Sequence, residues 1–148
     1  MARNWKVEGM KQLERDFKRL GKVPQTIVTQ AARAGGRIVL RAAKQNAPED
    51  DGDLKRSLVL KREKRRVRGK TVYDVMHSPH MNYALVKISK EGKRSYYPAS
   101  QEYGFMTRDG GYVPGYRYLR RAADDNRIQA EKKVLDVAGK GVDKALRR

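Results

Sequence analysis

PQTIVTQAARAGGRIVLRAAKQNAPEDDGD, residues 24–53, decides the first half of the fold. Pro24 suits the first turn of a helix, where a backbone N–H has no helical partner. Apolar side chains then recur at helical spacing from Ile27 to Ala42, which predicts an amphipathic helix over 24–46. Its small residues allow another backbone to approach closely, and the adjacent Gly35 and Gly36 lower the helix propensity enough to make a kink possible. Pro48 cannot continue the helix, so we expect it to end there.

The segment that follows, 47–53, places four carboxylates in a strongly basic chain. A calcium loop needs alternating acids and a distant bidentate Glu, and EDDGD has neither. Asp and Gly are turn formers, so we interpret the segment as a turn between the helix and a strand. Its acids could pair with basic residues of a neighbouring copy. The predicted turn residues are Pro48, Asp50, Asp51 and Gly52.

The remaining patterns predict one α+β domain over 1–148. It has two N-terminal helices, a small antiparallel β-sheet with a projecting basic hairpin, and a long C-terminal helix. The first helix is predicted from apolar residues at 10, 13, 17 and 20, and Gly21 ends it. The other predicted parts are strands at 54–61 and 71–77 around a basic tip at 61–70, a strand at NYALVKI (82–88), a loop-rich Tyr segment at 86–117 and a helix at 118–148.

The net charge limits the classes of partner that the sequence predicts. The 35 Lys and Arg residues against 17 Asp and Glu give a net charge of +18. That balance suits a polyanion, DNA or RNA first, with an acidic protein surface or a membrane face as alternatives. The chain has no cysteine, which excludes disulfides and thiolate metal sites. It has no long apolar run and no signal-peptide core, so we expect it to be made and kept in a cytoplasm, or built into something assembled there.

Two basic surfaces are candidate contacts for DNA. Basic residues at 33, 37, 41 and 44 recur at helical spacing and could track a phosphate backbone, although a solvated helix face gives the same pattern. The tip at 61–70 has no aromatic residue, so it is an electrostatic arm for duplex DNA or a docking arm for another subunit rather than a base-stacking platform. The candidates are Arg33, Arg37, Arg41, Lys44, Arg62, Lys64, Arg65, Arg66 and Arg68.

The tyrosines are concentrated in one segment and suggest a further kind of surface. Six of the eight fall between residues 96 and 118, in a segment rich in Gly and Pro. Amphipathic aromatics are common where protein surfaces meet, and the alternative is a loop packed on its own domain. We favour an interface. The candidate subunit-interface residues are Tyr96, Tyr97, Glu102, Tyr103, Tyr112, Tyr116 and Tyr118.

Nothing in the sequence assembles a recognised catalytic site. The only histidines, His77 and His80, flank a proline, and no third zinc ligand is evident. The serines lie in no nucleophile motif. The acidic residues of a metal-dependent nuclease site could be Asp74, Glu102 and Asp124, but any basic protein of this size contains three acidic residues that could be chosen in this way. We therefore expect no catalytic residue, no metal and no cofactor.

Three blocks in order resemble the tail-component, or neck, proteins of long-tailed bacteriophages. APEDDGDLKRSL (47–58) resembles their Ala-Pro, acidic turn, Gly-x-Leu-x-x-Ser-Leu block. YYPASQEYGF (96–105) is similar to their Tyr-Ala-x-x-x-Glu-x-Gly block, and PGYRYLRRAADDN (114–126) to their Pro-x-aromatic-Leu-Arg-Pro-Ala block. The chain departs from the family at Asp51, usually Thr, and at Arg121, usually Pro, and its 61–70 and 86–95 stretches are longer and more basic.

The resemblance implies a non-enzymatic virion part that forms a ring at the head–tail junction or tail end, through which the genome passes. Its partners would be copies of itself, neighbouring connector, head-closure or tail proteins, and non-specific double-stranded DNA, with no membrane. Two alternatives stay open: a sequence-independent nucleic-acid-binding protein acting alone, and a small metal-dependent nuclease.

Overall fold

A computed structural model describes residues 15, 18, 24–64 and 70–147. The α-helices within 24–64 and 70–147 are α1 (Pro24–Asn46), α2 (Asp53–Ser57), α3 (Asn82–Leu85), α4 (Tyr97–Tyr103) and α5 (Tyr118–Leu146), and a short 3-10 helix spans Pro79–Met81. The strands are β1 (Leu58–Arg62), β2 (Tyr73–His77), β3 (Val86–Ile88), β4 (Arg94–Tyr96), β5 (Gly104–Met106) and β6 (Tyr112–Pro114). The mixed α+β class and the long C-terminal helix are therefore confirmed.

The two long helices, α1 and α5, form the framework of the domain. They run antiparallel, because Gly35 of α1 lies against Val134 while Ile27, about two turns earlier in α1, lies against Gly141. A Cβ added at Gly35 would come within 2.6 Å of a Val134 methyl group. The small residues of α1 thus permit the close approach that the sequence predicts, and α1 runs through both glycines as one helix.

The strands form three separate two-stranded antiparallel ladders, β1–β2, β3–β4 and β5–β6. In the first ladder Leu58 faces His77 and Arg62 faces Tyr73. This ladder lies on α1, since a Cβ at Gly36 would meet the Leu60 side chain at 2.7 Å. Half of the predicted basic tip, residues 65–69, lies outside the described residues, as does most of the predicted first helix.

Two predicted strands are helical for part of their length. The strand predicted at 54–61 begins at Leu58, because 53–57 form α2. Leu54 and Leu58 are four residues apart, a spacing compatible with either structure, and one helical turn buries both of them. The strand predicted at 82–88 likewise begins at Val86, after a helical turn that buries Leu85.

The core lies where α1, α2, β1 and α5 meet. Ser57, Leu58, Leu85 and Tyr118 are its largest fully buried side chains. Small residues fill the helix contacts between them. The contiguous buried apolar cluster consists of Ala42, Ala43, Ala47, Leu54, Leu58, Tyr118 and Ala122.

Candidate functional site

A buried chain of hydrogen bonds links three elements at the centre of the core. His77, at the end of β2, contacts Ser57 Oγ through Nδ1 at 2.6 Å and Tyr118 Oη through Nε2 at 2.6 Å. The Ser57 hydroxyl donates to the Leu54 carbonyl oxygen at 2.7 Å, so it has no second hydrogen for the imidazole. Nδ1–H therefore donates to Ser57, and Tyr118 O–H donates to Nε2. This assignment requires a neutral imidazole.

Burial favours the same protonation states. It lowers the pKa of His77, against a smaller raising effect of the Glu102 carboxylate, and it raises the pKa of Tyr118. A Ser–His pair is the core of many hydrolytic sites, but here Ser57 and Tyr118 are 0% exposed. No substrate can reach the hydroxyl, so the chain of hydrogen bonds fixes α2, β2 and α5 to one another.

Glu102, at the end of α4, caps α5 from a distance. Its carboxylate accepts hydrogen bonds from Leu119 N at 2.9 Å and Arg120 N at 3.1 Å. The residue before the helix, Arg117, has left-handed geometry and makes no side-chain cap. The buried carboxylate therefore satisfies amide groups that helix geometry leaves free, at the end where the helix dipole favours negative charge.

Two glycines set the base of a hairpin that follows α4. Gly104 has φ of 88°, and a Cβ there would collide with the Val113 carbonyl oxygen. A Cβ at Gly115 would collide with the Glu102 carbonyl group. Tyr116 N donates to the Gln101 carbonyl at 2.7 Å, so the returning strand stays next to α4. The hairpin is thus anchored at its base by close backbone contacts.

Away from this base the hairpin exposes large apolar side chains on both faces. Phe105 pairs with Val113 on one face, and Met106 pairs with Tyr112 on the other. We call residues 103–116 the aromatic arm. Its exposed large side chains are Tyr103, Phe105, Met106, Tyr112, Val113 and Tyr116.

The predicted interface residues separate into two groups. Tyr103, Tyr112 and Tyr116 lie exposed on the aromatic arm, while Tyr96 is exposed and Tyr97 half-buried beside β3–β4. Glu102 and Tyr118 lie inside the protomer, as the helix cap and the hydrogen-bond partner of His77. Spacing in the sequence could not separate the groups, because all seven fall in one short segment.

The predicted basic face of α1 lies on its outer side. Arg33, Arg37 and Arg41 are exposed, and Lys44 is half-buried. Residues 24–46 contain no Asp or Glu, and no ion pair between described residues involves these three arginines. On the β1 side, Arg62 is half-buried and Lys64 exposed. Arg65, Arg66 and Arg68 lie outside the described residues.

The acidic turn is paired in part within the protomer. Glu49 bonds Lys55 Nζ at 2.5 Å, which lowers the pKa of that carboxyl, and Asp53 bonds Arg56 at 2.5 Å. Gly52 adopts a φ of 73°, a left-handed backbone conformation that glycine reaches without strain. Asp50 and Asp51 are exposed beside a small pocket that Lys87 and Tyr97 also line. Half-buried Pro48 directly follows the buried Ala47.

Over the described ranges, no group of three or more His, Asp or Glu side chains is arranged to hold a metal ion. Of the residues drawn for a nuclease, Asp74 and Asp124 are exposed on different elements and Glu102 is bound to the α5 amides. No helix among the described residues is long and apolar enough to cross a membrane.

The three sequence blocks meet at this buried centre. The first supplies Ser57 and Leu58, the second Glu102 and Gly104, and the third Tyr118. His77 joins the first and third blocks through Ser57 and Tyr118 and belongs to none of the three, so sequence reasoning missed its role. The available signal for this role was the position of His77 at the end of a strand whose side chains alternate between two faces.

These features define a small α+β structural domain whose motif residues hold its own elements together. Residues 11–81 match the family described as "Bacteriophage HK97-gp10, putative tail-component". The resemblance to phage tail-component proteins is thus confirmed, and it supports a structural role in the tail or neck of a virion. The matched stretch includes the first block and ends before the other two. No curated protein and no solved structure was found to match the chain.

Proposed function

We propose that this protein is a ring-forming connector or tail-completion component at the head–tail junction, through which DNA passes. The observation that carries the proposal is an exposed aromatic arm on a chain similar to phage tail components. A two-stranded hairpin is marginal in water by itself, and this one exposes apolar side chains on both faces. A neighbouring protein surface that covers the arm would stabilise both partners.

Copies of the same chain are the first partners of the arm, with adjacent connector, head-closure or tail proteins as the next. Every copy carries the arm at the same place, so closed symmetry would repeat one contact around a ring. The ring would be built into the virion after assembly in the host cytoplasm. The role proposed is structural, and no step of it requires catalysis or a cofactor.

The basic face of α1 supplies the proposed contact with DNA. Arg33 and Arg41 are eight residues apart, about 12 Å along the helix, with Arg37 between them. Each guanidinium could neutralise a phosphate without reading sequence, as a channel wall requires. The tip at 61–70 is the second proposed contact, facing either DNA or an adjacent ring.

The assembly part is tested by changing the arm. We expect Phe105→Ser with Val113→Ser, which replaces one exposed cross-strand pair, to reduce the oligomer to monomers in size-exclusion chromatography with light scattering. The matched control is Tyr83→Ser with Ile88→Ser, which removes two exposed apolar side chains elsewhere. Unchanged oligomers in the arm variant, with a folded circular dichroism spectrum, would contradict the proposal.

The net charge of +18 favours a second candidate, a nucleic-acid-binding protein that acts alone. Such a protein binds DNA tightly as a monomer or dimer. Replacing Arg33, Arg37 and Arg41 by Gln should weaken binding of duplex DNA and reduce the salt slope by up to about 3, roughly 0.9 for each lost phosphate contact. The control replaces exposed Lys90, Lys93 and Arg94 of the β3–β4 hairpin. Equal slopes for both triple variants would exclude α1 as the DNA contact.

A further inference from the structure

The exposed residues of α1 form a single row along the helix. Between residues 25 and 44, every exposed side chain follows the previous one by three or four residues, so all of them lie on one side. The half-buried Lys44 continues this spacing, and the whole row extends about 27 Å. Its N-terminal part is uncharged and the rest is basic. We call it the α1 row, and its members are Thr26, Gln30, Arg33, Arg37, Arg41 and Lys44.

The β1–β2 ladder lies along one border of the α1 row. Leu60 packs against Gly36 of α1. Thr71, at the open end of the ladder, accepts a hydrogen bond from Gln25 Nε2 at 2.9 Å, and its Oγ1 lies 3.2 Å from Thr29 Oγ1. Gly36 and Thr29 are each three residues from a member of the row, and residues three apart are neighbours on a helix surface. The open end of the ladder therefore lies beside the N-terminal, uncharged part of the row.

Two basic side chains occupy this end of the ladder. Side chains alternate along a strand, so Arg62 and Lys64 share the face on which Leu60 meets α1. Arg62 is half-buried and Lys64 is exposed. In the register that pairs Arg62 with Tyr73, Lys64 comes opposite Thr71. Both basic groups thus stand next to the part of the α1 row that has no charge of its own.

The surface formed by the α1 row, Arg62 and Lys64 contains basic groups and no acid. Residues 24–46 include no Asp or Glu, and none occupies the α1 side of either ladder strand. Among the described residues, no ion pair involves Arg62, Lys64 or an arginine of the row. The opposite face of the ladder is different, because Lys61 lies there with two acids, Glu63 and Asp74.

The same surface exposes no large apolar side chain. The exposed large apolar residues of the described ranges all lie between Tyr83 and Leu146, so none belongs to α1, β1 or β2. Protein interfaces have a core of apolar and aromatic groups, whereas interfaces with DNA are polar and strongly positive. The composition of this surface therefore fits a phosphate backbone and not another subunit.

We propose that the α1 row and the end of the ladder at Arg62 and Lys64 bind the same DNA duplex. A DNA strand carries one phosphate per ~3.4 Å of helix axis, so about eight phosphates of each strand lie along the ~27 Å row. Thr26 and Gln30, between the two basic groups, donate neutral hydrogen bonds to phosphate oxygens. This inference rests on the proposed DNA contact of α1. It adds Thr26 and Gln30 to that contact and assigns the ladder end to DNA.

The salt dependence of duplex binding tests the shared surface. Arg62→Gln with Lys64→Gln should weaken binding and reduce the slope of log K against log salt by up to about 2, roughly 0.9 for each lost phosphate contact. Combined with the α1 triple variant, the two reductions should add, because all five groups contact one duplex. Thr26→Ala with Gln30→Ala should weaken binding at every salt concentration and leave the slope unchanged, because a neutral hydrogen bond releases no counterion.

The matched control is Lys61→Gln with Lys132→Gln, which removes two exposed charges from the opposite face of the ladder and from α5. Equal losses of slope in this control and in the Arg62 and Lys64 variant would indicate an effect of net charge and would overturn the proposal. Reductions that do not add to those of the α1 variant would mean separate duplexes and would also overturn it. Lys64→Gln alone, at an exposed position, repeats the test if circular dichroism shows that the Arg62 substitution disturbs the fold.

The same measurements separate this inference from the proposed function. A loss of slope in the α1 variant with none in the Arg62 and Lys64 variant would overturn the shared surface and leave the α1 contact standing. No loss in either would overturn both DNA contacts. Light scattering of the variants reports on the ring independently, because the aromatic arm is intact in all of them. A changed mass with unchanged DNA binding would place Arg62 and Lys64 against another subunit and overturn the inference.

Discussion

Replacing Glu102 by Ala tests the account of the buried centre. The substitution removes both acceptors from Leu119 N and Arg120 N at the start of α5. Loss of a helix cap costs about 1–2 kcal/mol, and loss of a negative charge at a helix N-terminus costs up to about 1 kcal/mol more. We therefore expect the free energy of unfolding to fall by about 1–3 kcal/mol. At roughly 3 °C per kcal/mol for a chain of this size, Tm should fall by about 3–9 °C.

Urea unfolding followed by circular dichroism measures this change, with Tm from a thermal scan. Glu102→Gln keeps one acceptor oxygen and loses the charge, so its stability should lie between wild type and Glu102→Ala. The control is Glu131→Ala, which removes an exposed carboxylate paired with Arg127 on the same helix and should leave stability within error. If Glu102→Ala and Glu131→Ala behave alike, the capping role is refuted.

Three further predictions concern the same framework. Gly104→Ala should destabilise the fold by more than about 2 kcal/mol, because strain at positive φ adds to a collision with the Val113 carbonyl oxygen. Gly110→Ala, which is also at positive φ but in open space, should destabilise it by only about 1 kcal/mol. Urea unfolding of both variants measures the difference. Gly35→Leu should destabilise the fold, because the added side chain overpacks the contact between α1 and α5. Gly139→Ala, in open space on α5, should stabilise the fold by about 0.5–1 kcal/mol. Equal effects of the two substitutions would contradict the close contact between the helices. Burial lowers the pKa of His77, so the unfolded chain binds a proton at this imidazole more readily than the folded chain, and the free energy of unfolding should fall as pH drops below 6.5. Urea unfolding of the wild type at pH 7.5 and 5.5 should show this loss of stability. An equal loss in His77→Gln would rule out His77 as its source.

The long elements could be predicted from sequence because their signals are strong and local. Helix α1 begins at Pro24 and ends just before the Ala47–Pro48 pair, as its periodicity and the proline indicate. The start of α5 at Tyr118 was also predicted. Short elements were less well predicted, because a spacing of four residues, as between Leu54 and Leu58, fits a helical turn and a strand equally well.

The candidate site was predicted in part, and the reason lies in long-range contacts. The concentration of tyrosines indicated an interface, but it could not reveal that Tyr118 reaches His77 across 41 residues. Likewise, Glu102 is marked by a motif, yet its role depends on the N-terminus of a helix that begins sixteen residues later. Ile128 and Leu135 share the helical period of α5 but not its buried face, because α1 covers only one side.

The most direct test of the central claim is the mass of the purified protein in solution, measured by light scattering alone and with duplex DNA at low and high salt. The proposed connector should give a single oligomeric mass that does not depend on DNA and persists at high salt, where non-specific DNA binding weakens. A monomer or dimer that coats DNA tightly at low salt and forms no closed oligomer would contradict the account.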